Sequence, residues 1–167
     1  MHIRNPHLRD VPRIRDLAQA LPYGNNEFID YSLEEDQYFP RIKSPYSLIA
    51  ELDRNIQGYV MGYSLNHLPQ LFDQDRYASQ DPILYWYEKN SDPDSVYLEQ
   101  IGVKVPGTSC AHNLLTSLET RAKTSKYSFI YCGIHNSNSR SQRFFKRAGF
   151  EKNAELYDMG MYIKKLD

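Results

Sequence analysis

The sequence predicts a mixed α/β fold, one mixed sheet with helices on both faces. Three observations lead there. Strand-like runs of β-branched and aromatic residues are interleaved with segments whose apolar residues recur at helical spacing. Their order is βα(α)ββ, a polar insertion, then βαβαββ, and such alternation stacks helices against both sides of a sheet. The third is 14 tyrosines among 167 residues, a residue suited both to half-buried strands and to an aromatic-lined cleft. A chain of this length closes one hydrophobic core, so a single domain over 1–167 is expected, with an insertion at about 66–95.

The elements follow in order. His2–Arg4 reads as a short first strand. Asp10 before Val11-Pro12 marks a helix start, with a capping carboxylate and a proline in the first turn. Val11, Ile14, Leu17, Ala18 and Leu21 share one face of that helix, and Pro22 and Gly24 stop it. Residues 25–43 are acidic (Glu27, Asp30, Glu34, Glu35, Asp36) and read as a short helix with loops. Residues 46–52 and 56–65 form a hairpin around Asp53-Arg54-Asn55.

The insertion carries Pro69, Pro82, Pro93 and the cluster Tyr85-Trp86-Tyr87. A structureless loop that long is uncommon in a compact domain, so partial structure or a functional flap is expected. Residues 96–105 read as a strand with Tyr97, Glu99, Ile101, Val103 and Val105 on one face. A helix over 109–124 turns Leu114, Leu115, Leu118 and Ala122 inward, with cations near its C-terminus. Residues 127–135 form the next strand. Asn136 to Ser139 cap a helix over 140–148 that Gly149 closes, and two strands over 150–157 and 159–166 finish the chain.

Composition narrows the function classes. A net charge of -1 weighs against a protein built to grip nucleic acid, which needs a basic excess. No apolar run is long enough to span a bilayer, and Met1-His2-Ile3-Arg4-Asn5 lacks the profile of a secretion signal. The expected compartment is the cytoplasm, with no membrane partner. Cys110 and Cys132 fall inside regular segments and read as two reduced, buried thiols. The five histidines are scattered without metal-ligand spacing, so no metal site is expected.

Two constellations carry chemistry. In the first, a strand runs into Pro106-Gly107-Thr108-Ser109-Cys110-Ala111 and a helix opens directly after it. Unpaired amides and the dipole of a helix start suit a phosphate or pyrophosphate, and small residues let the ligand approach the backbone. A plain strand-to-helix turn is the alternative. In the second, an Asn/Ser cluster opens a helix bearing Arg140, Arg143, Lys146 and Arg147, which either attracts phosphate groups or is a solvated basic face.

Asn138, Ser141, Phe144-Phe145 and Gly149-Phe150 resemble the Asn-x-x-Ala-x-x-(Phe/Leu)-Tyr-x-x-x-Gly-Phe signature of the GNAT acetyltransferases. Residues 97–103, Tyr-Leu-Glu-Gln-Ile-Gly-Val, are similar to the strand before their acyl-CoA loop, particularly in polyamine-type members. The resemblance implies a GNAT-type, mostly antiparallel sheet with a splayed parallel pair at 98–105 and Phe129–His135, where acetyl-CoA lies. It implies that Ile101 and Val103 pair with the pantetheine arm. Gly107, Thr108, Ser109, Ala111 and His112 would receive the pyrophosphate, and Asn136, Asn138, Ser141, Phe144 and Phe145 would complete the cofactor site. The implied reaction is direct attack of an acceptor amine, of a small molecule or a peptide, on the thioester. Glu99, with apolar strand neighbours to raise its pKa, would be the base.

The chain departs from that pattern twice. Pro106 stands in a loop that usually runs Arg/Gln-Gly-x-Gly-x-Gly/Ala, offers no N–H, and the loop is shorter by about one residue. Phe145 stands where a tyrosine commonly protonates the departing thiolate. Tyr157, with Tyr131 and Tyr162 as alternatives, is the candidate replacement. These departures keep a non-catalytic acyl-CoA-binding module open as an alternative, beside a protein or peptide acetyltransferase. The acidic, aromatic segments after the first helix and at 66–95 suit a cationic acceptor. The tyrosine-containing final strand hints at the contact of a homodimer.

Overall fold

The computed structural model describes residues 1–21 and 33–167. The expected helix stop at Pro22 and Gly24, and the acidic residues Glu27 and Asp30, lie outside the described residues. Among those described, seven strands form one sheet in the order β1-β2-β3-β4-β5-β7-β6. They are β1 (His2–Arg4), β2 (Leu48–Leu52), β3 (Asn55–Ser64), β4 (Ser95–Val103), β5 (Phe129–His135), β6 (Glu151–Leu156) and β7 (Met159–Lys165). Every neighbouring pair is antiparallel except β4 with β5.

The helices divide between the faces. Helices α1 (Val11–Ala20), α2 (Glu35–Ile42), α3 (Leu68–Gln74) and α4 (Pro82–Asn90) cover the first face. Helices α5 (Cys110–Thr124) and α6 (Ser139–Arg147) cover the second. Strand alternation serves both cores: Tyr59, Met61 and Tyr63 of β3 point to the first, and Val60 points to the second. Fully buried leucines such as Leu48, Leu68, Leu71 and Leu84 contribute roughly 1.5–3 kcal/mol each.

Most of the buried tyrosines are core residues with a polar errand. The hydroxyl of Tyr59 donates to Gln100 Oε1 at 3.2 Å, and that of Tyr87 to the Ser95 carbonyl at 3.0 Å. A phenol supplies apolar area while its oxygen reaches a polar group at the edge of the core. The β2–β3 hairpin turns on Asp53 and Arg54, both at positive φ (47° and 61°), the conformation that lets a two-residue turn follow the twist of its strands.

Three sequence expectations change, and the partial structure expected at about 66–95 is found. Asp10 is buried but does not cap α1. Its carboxylate instead accepts from the His7 N–H at 2.8 Å and from Arg4 at 2.7 and 3.1 Å, so it ties the 3-10 turn Leu8–Asp10 to β1. The 66–95 segment holds α3 and α4, with Asp81 capping α4 through the N–H groups of Ile83 and Leu84. The final strand β7 lies between β5 and β6, so its Tyr162 is buried and β6 is the strand at that edge.

The third correction concerns β4. Met61 of β3 pairs with Gln100 and Gly62 pairs with Leu98, leaving Glu99 as an extra residue in a β-bulge. A bulge shifts the alternation by one. Tyr97, Glu99 and Gln100 therefore make first-face contacts, whereas Ile101 and Val103 pack on the second core. The regular strand ends at Val103, and Val105 is exposed.

Candidate functional site

The parallel pair supplies the opening. Strands β4 and β5 are in register only from Ser95↔Phe129 to Leu98↔Cys132. Beyond that point the bulge diverts β4, while β5 stays paired with β7 as far as His135↔Met159. The two strands part, and a cleft of about 320 Å³ opens between them. Its walls combine Glu99, Gln100 and Ile101 of β4, Gly133 and His135 of β5, Asn138, Ser141 and Phe145 around α6, Asp81 at the cap of α4 and Ile83 within it, and Tyr157 to Met159.

Glu99 is not in apolar surroundings. Arg41 of α2, 2% exposed, donates Nε to Glu99 Oε2 at 3.0 Å and Nη2 to Oε1 at 3.1 Å. The Tyr63 hydroxyl also donates to Oε2. The same guanidinium donates to Asp75 at 2.7 Å and to the Gln37 carbonyl at 2.8 Å. Burial opposes the charge on Arg41, but Glu99, Tyr63 and Asp75 raise its pKa further, so it stays protonated. Burial together with the charge of Glu99 pushes the Tyr63 phenol well above its usual range. The apolar setting expected for a base is thus replaced by a bidentate ion pair, the strong form of charge-assisted contact.

Around the second constellation, the Asn138 side chain accepts from the Ser141 N–H at 3.0 Å and caps α6. Phe145 is buried, packed edge-on against Phe144 and Phe150, with both centroids at 5.1 Å. No phenol replaces it from its own helix. Of the three tyrosines named as alternatives, only Tyr157 borders the cleft. It is 78% exposed, in the β6–β7 turn. The Tyr131 hydroxyl accepts from the Asp92 N–H at 3.3 Å, and Tyr162 is closed into the second core.

The cleft brings together Glu99, Ile101, Asn138, Ser141, Phe145 and Tyr157. Val103, Gly107, Thr108, Ser109, Ala111, His112, Asn136 and Phe144 lie outside its walls. Several of these form the start of α5, where Gly107 adopts φ +83° and the Thr108 hydroxyl donates to the Val105 carbonyl at 2.9 Å. Ser109 makes no side-chain cap and the first turn of α5 carries no acidic residue. Its amides are therefore open to an anion.

Sequence reasoning missed Arg41, Asp75, Gly133, His135 and Asp158. Arg41 carried one signal, a cation set between apolar Phe39-Pro40 and Ile42 in an acidic segment. At Gly133 a Cβ would lie 3.2 Å from Ile83, 3.3 Å from Met159 and 3.3 Å from the Tyr97 hydroxyl, so the bare backbone lets α4 and Tyr97 close onto β5. His135 Nε2 lies 2.7 Å from Asp158 Oδ2, and Nδ1 lies 3.0 Å from Ser137 Oγ and 3.2 Å from the Ser137 nitrogen. The imidazole holds the Asp158 carboxyl below the usual carboxylate range. Cys132, on the cleft wall, is buried and its thiol is pushed up by burial.

Comparison with known proteins agrees with this architecture. Residues 11–150 match the Acetyltransferase (GNAT) family, which is most of the chain. No curated protein matches the sequence. Among solved structures, a GNAT-family acetyltransferase from Listeria monocytogenes is similar at TM-score 0.73 and 17% identity, over 99% of this chain and 94% of that one. The PaiA N-acetyltransferase from Thermoplasma acidophilum, solved with coenzyme A, has TM-score 0.72 and 14% identity over 98% of both chains. A ribosomal-protein-alanine N-acetyltransferase from Brucella melitensis has TM-score 0.69 and 16% identity, over 99% of this chain and 100% of that one. These likenesses speak for the fold, and the family match speaks for descent: the chain belongs to the GNAT acetyltransferase family.

Proposed function

We propose that this protein transfers an acetyl group from acetyl-CoA to a primary amine, of a small molecule or a peptide, by direct attack. The observation that carries the reading is the parting of β4 and β5 beyond Leu98 and Cys132, which leaves a cleft through the sheet with a carboxylate on its wall. The thioester arm lies along the open edge of Ile101 and Val103, and the pyrophosphate lies on the amides of Gly107, Thr108, Ser109, Ala111 and His112. Asn136, Asn138, Ser141, Phe144 and Phe145 flank the arm from the side of α6. The neighbour solved with coenzyme A supports this donor.

The amine approaches from the first face. Glu99, oriented by Arg41, receives its ammonium there. Much of the acceleration then comes from holding amine and thioester in line, with backbone donors stabilising the developing oxyanion. Both Glu99 and His135 reach the wall on which the ammonium must lose its proton. Glu99 is engaged by Arg41 and Tyr63 and His135 by Asp158 and Ser137, so both stand as proton acceptors, one on β4 and one on β5. Tyr157 protonates the departing thiolate.

Calorimetric titration with coenzyme A and acetyl-CoA tests the donor, beside a Ser109→Glu variant that blocks the pyrophosphate. Micromolar binding that the variant loses supports the reading, and thiol release on adding amines completes it. The buried Phe145 favours one second reading, an acyl-CoA-binding module without turnover. Tight binding with no thiol release from any amine would establish that alternative.

A further inference from the structure

The β4 bulge has an effect on the residue after Glu99. In a regular strand Gln100 would point away from the face that Glu99 occupies. The bulge puts the two consecutive side chains on the same face. Gln100 is 6% exposed and borders the cleft. The Tyr59 hydroxyl donates to its Oε1 at 3.2 Å. Among the described residues its Nε2 has no hydrogen-bond partner. A buried amide donor left unpaired is costly and rare, and this one belongs to a residue on the wall of the cleft.

Resting on the acetyltransferase reading, we infer that Glu99 and Gln100 form a two-point acceptor subsite. It takes an amine whose ammonium stands next to a carbonyl oxygen, as in an amino-acid amide or the amino terminus of a peptide. The ammonium goes to Glu99 and the carbonyl oxygen accepts from Gln100 Nε2. Simple alkylamines and polyamines satisfy Glu99 and leave Gln100 unpaired. A site whose buried polar group is unpaired discriminates against the ligand that fails to pair it.

The test compares alanine amide, an alanine-initiated tripeptide, propylamine and putrescine, on wild type and on Gln100→Leu. Leucine fills a similar volume and removes the amide. The wild-type protein is expected to favour the two carbonyl-bearing acceptors in kcat/KM by about tenfold, the scale of one neutral hydrogen bond. Gln100→Leu should erase that preference through KM alone, with coenzyme A affinity unchanged. Alanine amide and the tripeptide separate a free metabolite from a peptide terminus. Equal rates for propylamine and alanine amide in the wild type would overturn the inference.

A second readout needs no turnover. In the coenzyme A complex of ¹⁵N-labelled protein, the Gln100 side-chain amide signal should shift with alanine amide and stay put with propylamine. If coenzyme A binds but no amine is acetylated, the acetyltransferase reading fails, and this signal still decides the subsite. An unmoved signal with alanine amide overturns it.

Discussion

Arg41 and Glu99 are 58 residues apart in sequence and meet as a forked ion pair, Nε to Oε2 at 3.0 Å and Nη2 to Oε1 at 3.1 Å. Arg41 also holds Asp75 at 2.7 Å, so one buried cation joins α2, the segment after α3 and the β4 bulge. Arg41→Met strands two carboxylates in the interior. It is expected to destabilise the protein by about 3–5 kcal/mol, measured as a fall in the urea midpoint at constant slope. Arg41→Lys, which cannot fork, should lose less stability and still loosen Glu99.

Asp75 sets an acid limit. Burial alone would push its carboxyl up, but the hydrogen bond and charge of Arg41, the Tyr77 N–H and Gln37 hold it below the usual range. A depressed folded value means that its contribution is fully present above the unfolded value of about 3.9 and is lost as the pH falls through the folded value. Unfolding free energy should therefore drop below about pH 4. Asp75→Asn should be less stable at neutral pH and show a shallower fall in acid, measured by denaturant titration across pH.

Gly107 holds φ +83° with no atom within 4 Å of the place a Cβ would occupy. Gly107→Ala therefore meets no clash, only backbone strain of roughly 1–2 kcal/mol. The expected outcome is a thermal midpoint lower by a few degrees and weaker coenzyme A binding in calorimetry. Unchanged affinity would mean that the loop amides do not meet the pyrophosphate.

Phe145 borders the cleft with its ring packed on Phe144 and Phe150. Phe145→Tyr adds a hydroxyl at a buried position, so it should cost about 1–3 kcal/mol in stability unless the hydroxyl reaches a partner in the cleft. If thiolate protonation limits turnover, kcat rises with coenzyme A affinity unchanged. Tyr157→Phe should lower kcat in the parent and matter less in Phe145→Tyr.

His135→Ala and Glu99→Gln separate the two proton acceptors. Loss of a general base is typically worth roughly 10²–10⁴-fold. Removing the group that takes the proton is expected to lower kcat on that scale, while removing the other leaves kcat near the parent value, and Glu99→Gln also raises KM for the amine. The kinetics should be repeated in Asp158→Asn, which removes the carboxylate 2.7 Å from His135 Nε2. Carboxyl NMR of Asp158 should move back toward the ordinary range in His135→Ala, since the imidazole holds it down.

By itself the sequence determined the fold class, most elements, and the segments that build the site. Strand and helix periods, the Asn138 cap, and the small-residue turn before α5 are local features, set by neighbours within a few residues. Tertiary structure decided the chemistry. The β4 bulge is defined by its pairing with β3, so no count along β4 alone reveals that Glu99 and Gln100 share a face while Ile101 turns away. Arg41 reaches Glu99, and His135 reaches Asp158, across separate elements. A charge partner that far away along the chain leaves no local pattern, and it is that partner which turned Glu99 from a carboxylate in an apolar setting into one half of a buried ion pair.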